Sequence, residues 1–441
     1  MSDLSKDFAI SGTECSNGNS LPVPRRLKVL VIDEEMPYPP DAGKRIRTWN
    51  LLRRLAQRHS VTLLCYGREN DRAKAALESA NIKLCLVDPL PSKKGMALYP
   101  KLAANLLSYY PYSVVKHYSL AFHNAYATLL GHSDWDLIHC EWTPYARFVS
   151  PKSSVPVLIA THNIEAQIWE RRAKHASNPL AKSFFASQAR KMRRFEIDAL
   201  RLANAVTAVS EPDADIMRKW GIASVYVVPN GVDIDSYESV GEAEKNVDLL
   251  SISSLDWFPN ADALEYFATQ IMPLVRKEHP GAVLRIVGRR PPDSLRNKLT
   301  KLVGIDFVGE VPDVRPYLRQ ASVVVVPLRI GGGSRLKILE ALAAGKPVVS
   351  TSVGAEGLDL VPSQEICIAD GPTEFARTVS ALLASSNDRG RIALAGRARV
   401  EKEYGWERIS QHLEFVWLRT AKKRTVYEAP PALQQGVRVP V

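Results

Sequence analysis

Short apolar, β-branched runs alternate along the chain with longer stretches in which apolar residues recur at helical spacing. A run that is apolar throughout indicates a strand buried on both faces, as in parallel sheets covered by crossover helices. The segments Lys44–Arg58 and Leu180–Leu202 are predicted to be helices. In the first half, the predicted strands are Lys28–Ile32, Val61–Cys65, Ile82–Val87, Leu137–Cys140, Val155–Ala160, Ala205–Val209 and Val225–Val228.

A second alternation of the same kind follows the polar segment Asp233–Asn246. Its predicted strands are Leu249–Ser253, Val283–Gly288, Ile305–Val308, Val323–Pro327, Pro347–Ser350 and Ile366–Ile368, and its predicted helices are Ala261–Lys277, Arg315–Arg319 and Arg335–Ala344. We therefore predict an α/β fold of two Rossmann-like domains that face each other across a cleft. The predicted boundaries are 1–24 for a disordered lead-in, 25–235 for the first domain, 236–246 for a linker, 247–419 for the second domain and 420–441 for a flexible tail.

Composition narrows the functional classes. No run of about 18 uncharged apolar residues is present, so no membrane span is predicted, and the polar start predicts no secretory signal. The five cysteines have no CxxC spacing, which favours a reducing cytoplasm and argues against structural zinc. The formal charge of +11 indicates a basic surface, but no nucleic-acid-binding motif accompanies it. A solvated basic face, an anionic lipid surface and an acidic small molecule remain open as explanations.

The segment Gly331–Glu340 joins a predicted buried strand to a predicted helix through a glycine-rich turn. Glycines let the backbone approach a ligand closely, and the amides of a helix's first turn form an anion site. Arg335 and Lys337 add positive charge there, and the carboxylate of Glu340 could accept hydrogen bonds from ribose hydroxyls. The residues by themselves also fit a flexible loop before an ordinary amphipathic helix.

The stretch LKILEALAAGKPVVSTSVGAEGL, which starts at Leu336, resembles the donor-binding signature of the retaining GT-B glycosyltransferases of family four, or group 1. VTAVSEPDADIM and VYVVPNGVD, between Val206 and Asp233, resemble the segment that closes the first domain of those enzymes. The resemblance extends over residues 28–415 and implies a GT-B fold. It also implies a nucleoside diphosphate sugar as co-substrate, with no cofactor. The family's ribose-binding glutamate matches Glu340, whereas its sugar-binding glutamate falls on Gly332.

Two departures from the family pattern shape the predicted site. The usual Arg/Lys pair after the second domain's first strand is absent from Ser251–Phe267, so Arg335 and Lys337 are predicted to replace its charge at the phosphates. Without an acid at Gly332, backbone amides are predicted to contact the sugar. A GG(S/T)RLK loop of this kind resembles that of polysaccharide-export sugar transferases. The predicted donor-binding residues are Gly332, Gly333, Ser334, Arg335, Lys337 and Glu340, with Glu356 as a possible contact.

The first domain supplies the opposite side of the predicted cleft. Gly43 and Arg47 follow the first strand, and the resemblance implies that this loop approaches the donor phosphates, with Arg47 available for an anion. His162 lies at the end of a predicted strand and matches the histidine that the family directs at the transferred sugar. Glu165 is a possible site residue, although it could only stabilise a helix start, and Glu141 is a weaker neighbour.

The resemblance implies transfer of a glycosyl unit from a nucleoside diphosphate sugar to a hydroxyl acceptor, without a metal ion because no DxD-type motif is placed for one. Lys93–Tyr118 mixes lysine, leucine and aromatic residues, so it fits either a membrane interface with a glycan or lipid-linked acceptor, or an ordinary helix and loop. The expected location is the cytoplasm or the inner face of the membrane. A nucleotide-sugar 2-epimerase and a catalytically inactive binding subunit of the same fold are the alternatives.

Overall fold

The computed structural model describes residues 25–90, 99–150, 153–176, 178–237, 248–330 and 335–422. The predicted lead-in 1–24, most of the linker and the tail beyond Lys422 lie outside these ranges. Within them, each predicted strand is present. The first sheet holds β1 (Lys28–Glu35), β2 (Ser60–Tyr66), β3 (Ile82–Val87), β4 (Leu137–Cys140), β5 (Val157–Ala160), β6 (Ala205–Ala208) and β7 (Val225–Val227), and the second holds β8 (Asp248–Ser254), β9 (Val283–Arg289), β10 (Ile305–Gly309), β11 (Val323–Val326), β12 (Val348–Ser350) and β13 (Cys367–Ile368).

Helices connect these strands. In the first half they are α1 (Gly43–Arg58), α2 (Asp71–Ser79), α3 (Tyr99–Leu107), α4 (Tyr112–Val115), α5 (Leu120–Gly131), α6 (Glu165–His175), α7 (Pro179–Leu202) and α8 (Glu211–Lys219). In the second half they are α9 (Phe258–Tyr266), α10 (Met272–Glu278), α11 (Asp293–Leu299), α12 (Arg315–Gln320), α13 (Leu336–Ala343), α14 (Ser352–Ala355), α15 (Pro372–Ala384), α16 (Ser386–Glu403) and α17 (Trp406–Ala421).

Both sheets are parallel and doubly wound. The first has the strand order β3-β2-β1-β4-β5-β6-β7 and the second β10-β9-β8-β11-β12-β13. In each, the order reverses beside the first strand, between β1 and β4 and between β8 and β11. Ligands of such sheets bind outside the carboxyl ends of the strands at this reversal. The predicted α/β architecture of two Rossmann-like domains is therefore confirmed.

One predicted helix starts earlier than its pattern suggested. It was expected over Ala261–Lys277, but α9 begins at Phe258, because Pro259 occupies the first turn, where its missing N–H costs no hydrogen bond. A single π turn, Phe267–Ile271, joins α9 to α10.

The last helix, α17, packs against the first sheet although it follows the second in sequence. Trp406 and Trp417 are buried in a cluster with Val29, Leu55 and Leu158 of the first domain. On its polar side, Glu414 and Glu407 pair with basic residues of α1 and with His59. The second half of the chain thus contributes α17 to the first domain's core, whereas the predicted range 247–419 assigned most of this helix to the second domain.

No helix in the described ranges is long and apolar enough to cross a membrane. Of the predicted interface segment Lys93–Tyr118, the first residues lie outside the described ranges. The described part forms α3 and α4, which carry exposed apolar side chains.

Candidate active site

The donor loop Gly331–Ser334, with the predicted contacts Gly332, Gly333 and Ser334, lies outside the described residues. Arg335 follows it and precedes the first turn of α13. Its guanidinium is buried, donates to the carbonyl of Val353 at 2.7 Å and to that of Glu356 at 3.3 Å, and lies 3.5 Å from the Glu356 carboxylate. Burial lowers the pKa of Arg335 to about 10, so the side chain is a cation at neutral pH.

Lys337 reaches from α13 to the end of the neighbouring strand β8. Its Nζ donates to Ser253 Oγ at 3.0 Å and to Asn260 Oδ1 at 2.8 Å. Burial, followed by the adjacent charge of Arg335, lowers the pKa of Lys337 to about 7. The Lys337 amine therefore lies at the end of β8. The segment Ser251–Phe267, which includes this strand end, contains no lysine or arginine.

Glu340 lies one turn further along α13, on the same side as Lys337. Burial raises the pKa of its carboxyl to about 7, against the hydrogen bond from the Tyr237 hydroxyl and the charge of Lys337, which both lower it. Tyr237 comes from the polar connection between the domains, whose sequence predicts only a linker. Arg335, just before the helix, and Lys337 on it thus present a guanidinium and an amine beside the Glu340 carboxyl group at the reversal point of the sheet.

His162 follows β5 and lies at the carboxyl edge of the first sheet, as predicted. Its Nε2 lies 2.7 Å from the carbonyl oxygen of Glu141 and 3.5 Å from Glu141 Oε1. Burial lowers the pKa of His162 to about 4, so the imidazole is neutral at pH 7. Its Nδ1 has no hydrogen-bond partner among the residues that the structure describes. A neutral imidazole with a free lone pair can accept a hydrogen bond from a sugar hydroxyl.

Glu141 directly follows β4 and is 2% exposed. Its carboxylate lies 2.7 Å from Nε2 of His139 and accepts a hydrogen bond from Thr48 at 3.2 Å. Burial acts to raise the pKa of Glu141, but its contacts with His139 and the charge of Arg47 lower it below the usual range. The sequence singled out Glu141 only as a neighbour of His162 and did not include His139.

Arg47 does not offer its guanidinium to a ligand in this structure, contrary to the prediction. The side chain is 2% exposed, and it donates to the carbonyls of Val228 and Pro229 and to the side chain of Asn230. A guanidinium has no acceptor capacity, and these three bonds hold it against the turn after β7, whose Pro229 and Asn230 line the pocket between the domains. Arg47 therefore holds the turn after β7.

Gly43 is the first residue of α1. The next residue, Lys44, and not Arg47, places a cation at the carboxyl end of β1. Lys44 Nζ lies 2.5 Å from Asp33 and 3.2 Å from Glu34, at the end of β1, and 5.1 Å from the Trp142 ring centroid. Burial raises the pKa of Asp33 to about 7, against the lowering effect of Lys44. The sequence signal for the Asp33–Lys44 pair is an aspartate near the end of a predicted strand, followed by a helix that starts at a glycine.

Glu165 begins α6, but its carboxylate does not cap that helix. It accepts a hydrogen bond from the Trp142 indole at 3.0 Å. The amides of Glu165 and Ala166 instead donate to the buried carboxyl group of Glu196, at 2.8 and 2.9 Å. The pKa of Glu196 is raised by burial. A carboxyl group from α7 thus stabilises the helix start that carries the His162 loop, a role that no local pattern indicated.

Glu356 spans the space between the domains. Its carboxylate lies 3.2 Å from Arg171 of α6 and 3.5 Å from Arg335. A pocket lies at this point, lined from the first domain by Ser210, Asp213 and Arg171 and from the second by Arg335, Glu356 and Gly357. Gly357 has φ +85, and a Cβ there would lie 2.6 Å from Ser210 Cβ. The two domains are therefore in close contact beside the predicted donor site.

Within the described ranges, no three His, Cys, Asp or Glu side chains are grouped so that they could hold a metal ion. The metal independence of the reaction stays a prediction.

Two family profiles cover most of the chain. "Glycosyltransferase Family 4" matches residues 43–236, and "Glycosyl transferases group 1" matches residues 246–385. A phosphatidyl-myo-inositol mannosyltransferase of Mycobacterium tuberculosis is 25% identical over 321 residues, which cover 67% of this chain and 77% of that protein.

Solved structures show the same fold at low identity. Sucrose-phosphate synthase from Thermosynechococcus elongatus superposes with a TM-score of 0.67 at 16% identity, covering 89% of this chain and 99% of that one. HepE of Anabaena, solved in complex with UDP and glucose, superposes with a TM-score of 0.61 at 16% identity, again over 89% and 99% of the two chains. From the two profiles, the paired parallel sheets and the cleft-side residues, the chain belongs to the group 1, family 4 glycosyltransferases of GT-B fold.

Proposed function

We propose that this glycosyltransferase moves a sugar from a nucleoside diphosphate sugar to a hydroxyl group of a glycan or lipid-linked acceptor, with retention at the anomeric carbon and without a metal ion. One observation carries the donor assignment: α13 places Arg335, Lys337 and Glu340 together at the reversal point of the second sheet. Cations suit a diphosphate, and a carboxyl group suits ribose hydroxyls.

The proposed chemistry follows from charge development. As the glycosidic bond breaks, the sugar gains oxocarbenium character and the diphosphate gains negative charge. Arg335 and Lys337 stabilise that charge at fixed positions, which is more effective than solvent because no reorganisation is needed. His162 accepts a hydrogen bond from a hydroxyl of the transferred sugar through Nδ1 and so orients it.

The relatives support the substrate classes without identifying them for this chain. One relative is a phosphatidyl-myo-inositol mannosyltransferase, whose acceptor is a lipid, and one structural neighbour was solved with UDP and glucose. We therefore propose an NDP-hexose donor and a role in glycolipid or polysaccharide synthesis at the inner face of the membrane.

Nucleotide binding tests the donor site directly. Isothermal calorimetry with UDP and GDP should show that Arg335→Ala and Glu340→Ala each weaken binding about tenfold or more, since each removes a charged partner worth about 1.5–3 kcal/mol. Lys298→Ala is the matched control, because Lys298 forms an exposed ion pair with Glu265 elsewhere in the same domain. Unchanged affinity in both site variants would overturn the assignment.

The reaction type is tested with radiolabelled nucleotide sugars and a membrane-lipid extract. A transferase yields labelled glycolipid or glycan together with free nucleoside diphosphate. An epimerase would yield a new nucleotide sugar, and a binding subunit would yield neither. Either of the last two results would replace the proposed activity.

Membrane contact is proposed for the end of α3 and the turn that follows. Leu106, Leu107 and Tyr109 are 50%, 94% and 56% exposed. Lys191 donates to the carbonyl of Leu106, and the Arg194 guanidinium lies 5.3 Å from the Tyr109 ring centroid. Apolar side chains beside fixed cations suit a surface of anionic lipid.

Vesicle co-sedimentation tests this contact. The chain should bind phosphatidylglycerol vesicles more than phosphatidylcholine vesicles, and Leu106→Ser with Leu107→Ser should reduce that binding severalfold. Leu394→Ser is the control, because Leu394 is 73% exposed on the other domain. Equal loss in the control would show that the contact is not specific to α3.

A further inference from the structure

Arg289 is a cation at the carboxyl edge of the second sheet that the predicted donor-binding residues do not include. It is the last residue of β9 and pairs in register with Ser254, the last residue of β8. Gly288 allows this close approach, because a Cβ there would lie 2.3 Å from the carbonyl oxygen of Ser253. Since ligands of doubly wound sheets bind outside this edge, Arg289 lies where a donor is expected.

Arg289 and Lys337 reach the end of β8 from two different elements. Lys337 of α13 donates to Ser253 Oγ at 3.0 Å, and Arg289 Nε donates to the Oγ of the next residue, Ser254, at 2.8 Å. Asn260 connects the two contacts, because it accepts from Lys337 at 2.8 Å and donates to the Ser254 carbonyl at 2.7 Å. The end of β8, which has no lysine or arginine of its own, is thus contacted by basic residues from α13 and from β9.

The guanidinium of Arg289 keeps most of its donors uncommitted. A guanidinium carries five N–H donors, and toward the described residues only Nε of Arg289 donates a hydrogen bond. Its side chain is 18% exposed, so a ligand can reach it. Arg335 and Lys337 already donate to several protein acceptors. Of these three basic side chains, Arg289 therefore has the most donors left for an anion, as far as the described part of the chain shows.

Across the cleft, Arg289 faces a carboxylate of the first domain. Asp41 lies in the loop between β1 and α1, and its Oδ2 is 3.5 Å from Arg289 Nη1, whereas its Oδ1 accepts a hydrogen bond from Arg45 at 3.0 Å. The Asp41–Arg289 contact is an ion pair without a hydrogen bond, so an anion that offers a closer oxygen can replace the carboxylate. By resemblance, this same loop is expected to approach the donor phosphates.

We propose that Arg289 binds the diphosphate of the donor and that Asp41 competes with the diphosphate for this guanidinium. When a donor enters, the Nη groups of Arg289 exchange the carboxylate for phosphate oxygens, while Nε keeps its bond to Ser254 and Asp41 stays paired with Arg45. The inference rests on the proposed function, because it needs a nucleoside diphosphate as ligand. It adds a cation from β9 to those that α13 and the residue before it supply.

A purely structural ion pair makes a different prediction from a competing one. If Arg289 only joins the two domains, Arg289→Ala and Asp41→Asn remove the same contact and should change UDP affinity alike. If Arg289 binds the diphosphate, the two changes should have opposite effects. Arg289→Ala removes the partner of the ligand, whereas Asp41→Asn removes its competitor and leaves more of the guanidinium available.

Isothermal calorimetry with UDP and GDP, and with uridine and guanosine, measures these effects. Arg289→Ala should weaken diphosphate binding about tenfold or more and nucleoside binding less than about twofold, because a nucleoside carries no phosphate. Asp41→Asn should tighten diphosphate binding about threefold. The double variant should resemble Arg289→Ala, because Asp41 acts through Arg289. Arg285→Ala is the matched control, since Arg285 lies on the same strand, is 23% exposed and pairs with Asp306 instead.

A conservative variant adds a second readout. Arg289→Lys keeps the charge but loses the planar set of donors, so it should recover only part of the affinity that Arg289→Ala loses. Equal weakening by Arg289→Ala and Asp41→Asn, or unchanged diphosphate affinity in Arg289→Ala, would overturn the inference while the donor assignment stands. A wild type that bound neither UDP nor GDP would overturn the donor assignment and this inference together.

Discussion

At the scale of single residues, Glu340 couples stability to pH. Its carboxyl has a pKa near 7 in the folded chain, raised by burial from the usual value of 4.5. Between these two values the folded state binds more protons than the unfolded state, so this group makes stability fall as pH rises. Such a group is kept at a cost in stability when its charge serves a ligand.

We expect Glu340→Gln to stabilise the protein at pH 8 by up to about 3 kcal/mol, because the variant no longer buries a carboxylate. Near pH 4.5 the difference should vanish. Urea unfolding at both pH values measures this, and UDP calorimetry on the same samples should show weaker binding. A variant no more stable than the wild type at pH 8 would mean that the carboxylate is well compensated in the folded state.

His162 is the second residue-scale case. His162→Ala removes the imidazole that offers its Nδ1 lone pair just after β5, so turnover should fall about a hundredfold, within the range for a positioned polar group. UDP affinity should change less than about threefold, because the proposed nucleotide contacts lie in the second domain. Steady-state kinetics and calorimetry test this together, and normal turnover in the variant would remove His162 from the mechanism.

At the scale of elements, α1 is fixed to the turn after β7 by one side chain. Arg47 donates three hydrogen bonds to Val228, Pro229 and Asn230, and its own side chain is 2% exposed. Loss of a charged donor leaves buried acceptors without partners, which is among the costlier single changes in a protein.

Arg47→Ala should therefore lower the free energy of unfolding by about 2–4 kcal/mol and leave UDP affinity of the folded protein unchanged. Chemical denaturation and calorimetry measure the two quantities. Arg72→Ala, a change at an exposed arginine on α2, is the control and should have little effect. Weaker UDP binding with unchanged stability would restore the original interpretation of Arg47 as an anion ligand.

At the scale of the whole molecule, the fit between the domains depends on Gly357. Its φ of +85 disfavours a side chain, and a Cβ would overlap Ser210 of the first domain at 2.6 Å. The Arg171–Glu356 ion pair lies beside this contact. A larger residue there requires Ser210 or the Gly357 segment to shift, and we expect the domains to move apart, which would separate Arg335 from the first domain's side of the pocket.

Gly357→Ala should increase the radius of gyration measured by small-angle X-ray scattering and weaken UDP binding severalfold. Gly371→Ala is the control, because a Cβ there would meet nothing within 4 Å. Adding Ser210→Gly should recover part of the affinity by removing the overlap. An unchanged radius of gyration with strong loss of binding would place the effect in the loop itself rather than in domain spacing.

The strands, the order of the two domains and the position of α13, the helix predicted to bind the donor, follow from local patterns in the sequence. Buried parallel strands require continuous apolar runs, and a helix start after glycines has a local signature, so both can be read from neighbouring residues. The placements of His162 at a strand end and of Arg335, Lys337 and Glu340 around one helix follow from the same local patterns.

The contacts between distant side chains, by contrast, depend on the tertiary structure. Trp417 reaches His139 across 278 positions, Lys337 bonds to Ser253 of β8 and Asn260 of α9, and Arg47 bonds to the turn after β7. These contacts depend on how α17 crosses back and how each helix is oriented on its sheet. No pattern of nearby residues encodes that packing, because it results from burying the apolar faces of the whole chain at once.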